Sequence, residues 1–288
     1  MKTSALIPCY NGSRHIKRVI EHLLVQTHPI DEIIVVDDCS TDDTVAIIKT
    51  LPVQLVQSER NQGPAVARNT AAQHSTGDIL IFIDSDAYAT ADMNEKIIAA
   101  YENHSQDLLV GGVGGRGIEA RVETIFDEWR ALHGAQNFGS YIKTDVPYLF
   151  GLCCSYPRSV FEKVGGFDPF YRINAGEDLE IGLRIRQQGY HLIYDPEICV
   201  EHQHQDSHAS LLRVQYNWTY WSYISMVRRG LPAWRNTLGP YWRFIRYAFA
   251  DLLIRRRPDL VKLDCEIFDE KRRAITDARE KIRTMPKP

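Results

Sequence analysis

Over roughly its first 90 residues the chain alternates short apolar runs with helix-period segments, and acids stand at the ends of two of those runs. Residues 3–7 are apolar and stop at Pro8, ahead of a turn at Asn11-Gly12. Ile16, Val19, Ile20, Leu23 and Leu24 then follow the i, i+3, i+4 spacing of an amphipathic helix over 13–26. Residues 32–36 form a largely β-branched run, the pattern of a strand covered on both faces. A helix over 45–48, a strand over 53–57, a helix over 64–74 and a strand over 79–83 continue the series. Strand and helix alternating at this spacing predict an α/β fold: a Rossmann-like, mostly parallel sheet flanked by helices.

Beyond residue 87 the pattern loosens. The glycine-dense stretch 111–117 predicts a strand and turn, and 148–156 another buried strand. Residues 177–188 are amphipathic with helical period, and 190–194 and 198–201 predict two short strands on either side of Asp195-Pro196. From 207 onward the chain reads as helices, interrupted near Gly230-Leu231-Pro232 and at Gly239-Pro240, with a last helix over 266–283 that is charged nearly all round. The expected division is an α/β domain over 1–206 and a helical appendage over 207–288.

Composition narrows the function classes. A net charge of −3 gives no global reason to bind nucleic acid. No uncharged run reaches the roughly 18–20 residues that span a bilayer, and Met1 leads almost directly into an apolar run broken by Pro8, which is not a secretory leader. Six cysteines without a CxxC spacing suit a reduced, cytoplasmic protein, and the neighbours Cys153 and Cys154 would point to opposite faces of a strand rather than pair. One local asymmetry stands out. Residues 211–257 hold nine arginines, one acid (Asp251) and four of the five tryptophans.

In a parallel sheet, chemistry belongs at the carboxyl ends of the strands. Two such ends carry acids here, Asp37-Asp38 and Asp84-Ser85-Asp86. Carboxylates two apart suit a hard divalent cation that leaves positions open for phosphate oxygens, though alone they would also suit a solvated, capped turn. Asp38 offers an acceptor for a base imide or a ribose hydroxyl, or a helix cap. Arg68 offers a donor to a base or phosphate, or a surface ion pair. Glu177 and Asp178 open a helix, where acids are favoured by the helix dipole; a general base for an acceptor hydroxyl is the other reading. His202 and His204 share one face of a strand. One of them completing a metal site with Asp86 fits better than a separate zinc site, because no further ligand with zinc spacing lies nearby.

Taken in order, these blocks resemble the family 2 glycosyltransferases. The resemblance runs through residues 7–11 (Ile-Pro-Cys-Tyr-Asn), 26–29, 32–41, 61–69, 76–78, the DxD triplet, Gly165-Gly166-Phe167-Asp168 and Gly176-Glu177-Asp178, and it covers roughly 3–204. It implies a glycosyltransferase A-type fold, a nucleotide-diphosphate sugar donor (UDP-, dTDP- or GDP-linked), Mn2+ or Mg2+, and inversion at the anomeric carbon. By position it places Pro8, Tyr10, Asp38 and Arg68 with the nucleoside, and Asp84 and Asp86 with ribose, metal and diphosphate. Asp178 becomes the base, Glu177 its neighbour on the acceptor, and His202 a further metal contact. The QxxRW block of processive members is replaced by Gln215-Tyr216-Asn217-Trp218, so transfer of a single sugar to a glycan or lipid-linked hydroxyl is expected.

Two other classes were weighed. A nucleotidyltransferase would need a glycine-rich loop after the first strand, where Pro8–Arg14 has little glycine; an inactive sugar-nucleotide-binding scaffold would be expected to lack Asp86 or Asp178. The basic, aromatic region 207–257 has two readings. It is either a surface for peripheral association with the inner face of the membrane, with Trp218, Trp221, Trp234 and Trp242 at the headgroups, or a helical core with a solvated basic face. The first is preferred.

Overall fold

The computed structural model describes residues 1–232 and 234–285, and only the backbone of Trp234, Arg235 and Asn236. Two compact units form, one from residues 1–120 and 136–204, the other from 121–135 and 205–288.

The first unit is built on an eight-stranded sheet: β1 (Thr3–Cys9), β2 (Glu32–Asp37), β3 (Gln54–Gln57), β4 (Ile79–Ile83), β5 (Ala87–Ala89), β6 (Val110–Glu119), β7 (Cys153–Pro157) and β8 (His191–His202). Their order is β3-β2-β1-β4-β7-β6-β8-β5. β1, β2, β3 and β4 run parallel, as do β6 and β8; β7 and β5 are antiparallel to their neighbours. The helices are α1 (Ile16–Leu24), α2 (Thr44–Ile48), α3 (Pro64–Gln73), α4 (Met93–His104), α6 (Arg158–Lys163) and α7 (Glu177–Gln187), with α5 (Ile125–His133) belonging to the second unit. Strand side chains alternate between faces. Ala5 and Ile7 pack with α1 and α4 through Ile16, Ile20, Met93 and Ile97, while Leu6 packs with α3, α6 and α7 through Ala67, Phe161 and Ile181. Both faces are therefore covered, which is why β2 and β4 read as unbroken apolar runs.

Three local expectations are corrected. Residues 111–117 contain no turn: they lie within β6, whose register with β8 skips between Val110 and Gly112 and again between Gly114 and Arg116. That second skip jumps from Tyr194 to Cys199 on β8, so Pro196, with no N–H to give, sits where the ladder is already interrupted and β8 continues as one strand. Of 148–156 only Cys153–Pro157 is a strand; the segment before it is a buried loop in which Tyr148 and Phe150 pack on Phe138 at centroid distances of 5.3 and 4.7 Å.

The second unit contains α5, α8 (His208–Arg228), α9 (Trp234–Phe249), a π-helical turn (Ala250–Ile254) and α10 (Pro258–Thr284). α9 passes through Gly239-Pro240 rather than breaking there. Nor is α10 polar all round, since Leu260, Leu263, Ile267, Ala274, Ile275 and Ala278 are buried on it. Trp129, Leu211, Leu260, Leu263 and Ile267 make the core. Beside it Trp129 Nε1 donates to Asp264 Oδ1 at 2.8 Å, and Asp251 accepts from His133 Nε2 at 2.8 Å and from Arg255 at 2.7 Å.

Candidate active site

The site lies at the carboxyl ends of β1, β2 and β4 and draws on α3, α7 and β8, all within the first unit. Pro8 is half-buried at the end of β1, and Tyr10 stands 50% exposed in the turn after it. That turn is stitched to the one after β2: the Asn11 amide donates to Ser40 Oγ, and the Thr41 amide donates to Asn11 Oδ1, each at 2.8 Å. The buried Asp38 carboxylate accepts from the Gly63 amide at 2.8 Å and the Gln62 amide at 3.0 Å. It thereby fixes the loop that leads into α3, so Asp38 shapes the wall beside Tyr10 and helps set where α3 begins.

The triplet after β4 sends its two carboxylates into different surroundings. Asp84 meets Arg68, whose Nη2 lies 2.8 Å from Asp84 Oδ1 and whose Nη1 lies 2.9 Å from Glu177 Oε1. Asn174 Oδ1 is 3.4 Å from the same guanidinium, and the Phe167 ring lies beneath it at 5.4 Å. Arg68, expected at the nucleoside, is 1% exposed and forms a buried counter-charge between two acids. A lone buried guanidinium would be costly, and each carboxylate would be too, so the three stand or fall together.

α7 presents the next two acids. Gly176 precedes it in the left-handed region (φ 88°), which only glycine adopts at little cost, and this turns Glu177 and Asp178 directly into the first helical turn. Asp178 Oδ2 accepts the Gly151 amide at 2.8 Å, whereas Oδ1 has no hydrogen-bond partner among the described residues. Burial, then the negative charge of Glu177, pushes the Asp178 carboxyl well above the usual carboxylate range, against the pull of Arg68. Burial raises Glu177 likewise, with Arg68 opposing. Gly151 is required by proximity: a Cβ there would sit 2.9 Å from Arg68 Nη2 and from both Asp178 carboxylate oxygens.

Asp86 faces away from that pair, toward the end of β8. One ligand atom from each of Asp86, His202 and His204 lies within 4.8 Å of the others. His202 Nε2 is 3.7 Å from Asp86 Oδ2 and His202 Nδ1 is 3.5 Å from Glu119 Oε2. The first separation is long for a hydrogen bond and close to that of two ligands each about 2.0–2.2 Å from a common ion. The second sets a carboxylate behind the imidazole, where metal-binding histidines usually have one. The His202 and His204 rings stack at 5.4 Å although β8 ends at His202 and His204 lies in the segment just after it, not on a shared strand face. Burial opposes charge on His202, but Asp86 and Glu119 override it and push its pKa up to about 10. The same environment works in reverse on Asp86: burial resists ionisation, yet His202 and His204 hold its carboxyl below the usual range.

These positions differ from the sequence expectations at five residues. Asp84 is absent from the Asp86 cluster and His204 joins it. Glu119, Gly151 and Asn174 also line the site, and nothing in their local sequence marks them.

Comparison with known proteins matches residues 4–165 to the model of Glycosyl transferase family 2. A glucosyl-dolichyl phosphate glucuronosyltransferase of Haloferax volcanii is 30% identical over 225 residues, 70% of this chain and 69% of that protein. The poly(ribitol-phosphate) β-N-acetylglucosaminyltransferase TarS of Staphylococcus aureus is 35% identical over 128 residues, 41% of this chain; the match spans only 22% of that longer protein. Among solved structures, the mannosyltransferase PcManGT of Pyrobaculum calidifontis, in complex with GDP-Man and Mn2+, superposes with a TM-score of 0.68 at 20% identity, over 96% of this chain and 87% of that one. TarS residues 1–349 with UDP-GlcNAc give 0.58 at 18% identity, over 98% and 92%. The fold is thus that of the A-type glycosyltransferases, and the chain belongs to glycosyl transferase family 2.

Proposed function

We propose that this protein transfers one sugar, with inversion, from a nucleotide-diphosphate sugar to a hydroxyl of a glycan or lipid-linked acceptor in cell-envelope glycan synthesis. The reading rests chiefly on one juxtaposition. The two acids of a single strand-end triplet are divided between a buried acid–arginine cluster that contains Asp178 and an Asp86–His202–His204 cluster suited to a divalent ion. The attack on the sugar and the departure of the diphosphate are then served on the two sides of one strand-end triplet.

The wall built from Pro8, Tyr10 and the Asp38-pinned loop would receive the nucleoside of a UDP, dTDP or GDP sugar. Asp86, His202 and His204 would hold the cation, with Glu119 orienting His202; two imidazole nitrogens beside one carboxylate suit Mn2+ better than Mg2+. A divalent ion bound there supplies positive charge against the diphosphate as it leaves. Asp178 Oδ1 takes the proton of the acceptor hydroxyl as its oxygen attacks the anomeric carbon. The elevated proton affinity of Asp178 brings it nearer the working pH, where a general base is most effective. Arg68 keeps Glu177 ionised and Asp84 fixed, and Glu177 positions the acceptor. The region 207–257 would bring the enzyme to the inner face of a membrane.

A thermal-shift series with UDP, dTDP and GDP, each with and without Mn2+, tests the donor side. A ligand that binds only the folded state raises Tm. One nucleotide should do so in a Mn2+-dependent manner, and Asp86→Asn should abolish the Mn2+-dependent part while leaving the apo Tm near wild type. Equal shifts with and without Mn2+ would sink the metal assignment. Gly151→Ala probes the other half of the site. The added methyl must displace Arg68 or Asp178, so kcat should fall about 10–10²-fold with KM for the donor little changed. Unaltered kcat would mean that the Asp178 position does not govern turnover.

A further inference from the structure

The second unit leaves one apolar face uncovered. Leu238, Tyr241, Trp242, Ile245 and Phe249 of α9 are all exposed, and the π-helical turn continues them with Leu252, Leu253 and Ile254. At roughly 100° per residue the five on α9 fall within about 100° of arc, a single stripe. These are not marginal exposures: Trp242 is 71% exposed and Ile254 72%. The other side of α9 is occupied, with Phe244 stacked on Phe268 of α10 at 4.7 Å; of the stripe, Tyr241 at its edge meets the same ring at 5.0 Å. A contiguous stripe of this size on the outside of a folded chain marks an interaction surface.

Its charge says which kind. The single acid between residues 211 and 257, Asp251, is 0% exposed and engaged by His133 and Arg255, so no negative charge reaches the surface there. Arg246 and Arg256 are exposed beside the stripe and have no carboxylate partner among the described residues, whereas Arg243 lies on the α10 side, next to Phe268 and Lys271. The acid nearest the stripe from outside this segment, Asp269 of α10 by Tyr241, is paired with Arg272 at 3.7 Å, so the rim is net cationic and matches acyl chains below anionic headgroups. It does not suit a second copy of itself, since a two-fold pairing would bring the arginines of both copies together. Nor does it span: no helix of the described residues is long and apolar enough to cross a membrane. The tryptophans contribute less than expected. Trp218 and Trp221 are half-buried on α8, with Arg130 over the Trp218 ring at 5.8 Å, and the Trp234 side chain lies outside the described residues.

We propose that the stripe from Leu238 to Phe249, extended by Leu252–Ile254, lies in the surface of an anionic bilayer, with Arg246 and Arg256 on headgroup phosphates. This deepens the membrane reading given above for 207–257 by naming the docking face and the lipid class. Flotation of the full chain with vesicles of phosphatidylcholine, with or without roughly 30% phosphatidylglycerol, tests it. Wild type should float with the anionic vesicles and about tenfold less with the neutral ones. Trp242→Glu/Phe249→Glu should lose at least about tenfold of the anionic binding, and Arg246→Glu/Arg256→Glu about 30-fold or more. All four positions are exposed, so melting temperatures should stay near wild type and report any misfolding. Failure of wild type to float, binding unaffected by the Trp242/Phe249 pair, or a lipid-free dimer that this pair converts to monomer would each overturn the proposal. Asp178→Asn should float as wild type does, so a failed lipid assay and a failed catalytic assignment are told apart.

Discussion

Asp178→Asn should lower kcat by about 10²–10⁴-fold while leaving nucleotide binding close to wild type. The asparagine keeps the shape and retains an oxygen for the Gly151 amide, which now meets Asp178 Oδ2 at 2.8 Å. What it loses is the capacity to take a proton at the other oxygen, the one without a partner. The pH profile gives a second readout. Because burial and Glu177 raise the Asp178 carboxyl well above the usual range, the wild-type rate should climb as pH rises through that raised value and the base loses its proton. The residual rate of the variant should lack that limb. Steady-state kinetics between about pH 5 and 9 decide it, and turnover within a few fold of wild type would remove Asp178 from the mechanism.

Arg68→Met should cost about 3–5 kcal/mol of stability, the penalty for leaving buried charge unpaired. Arg68 is 1% exposed and Glu177 2%, so the 2.9 Å pair between them is shielded from bulk solvent. The methionine fills much of the volume on the Phe167 ring but neutralises nothing. The loss should depend on pH with a definite sign. Glu177 and Asp178 already bind protons more tightly in the folded state than an ordinary carboxylate does, so stability falls as pH rises from the usual carboxylate range through their raised values. Removing the guanidinium raises them further and widens that window. The variant should therefore be most damaged at alkaline pH and partly recovered at about pH 5, where both groups can be protonated. Urea unfolding at the two pH values checks this; a loss below about 1 kcal/mol at both would show that the cluster is not under the strain described.

The first half of the fold was legible because both faces of the sheet are covered. Burial on both sides makes β2 and β4 nearly uninterrupted apolar runs, and the covering helices carry a clear stripe. Legibility failed where tertiary packing overrode a local signal. Pro196 reads as a strand break, yet it falls where the β6–β8 ladder already skips, so the strand costs nothing by continuing. Pro240 reads as a helix end, yet it is buried within α9. α5 was not anticipated, although Thr124 and Asp127 form a capping box at its start, with the Thr124 hydroxyl accepting the Asp127 amide.

The candidate site divides in the same way. Asp84, Asp86, Asp178 and His202 stand out in the sequence because acids at strand ends and histidines after an apolar run are costly placements. Glu119 and Asn174 are unremarkable in sequence and matter only through what they approach. Gly151 is one of 18 glycines, and its requirement is a 2.9 Å distance that no composition or spacing can express.

By itself the sequence determined the layering of the sheet and the end of it at which the acids gather, because strand direction and side-chain alternation follow from chain order and covalent geometry. Which partner each charged group takes was decided only by the tertiary structure. Arg68 sits between Asp84 and Glu177 because residues 109 positions apart in the chain meet there. The stripe of α9 faces outward because α10 is occupied by its other side, and periodicity cannot say which face of a helix its neighbours will cover.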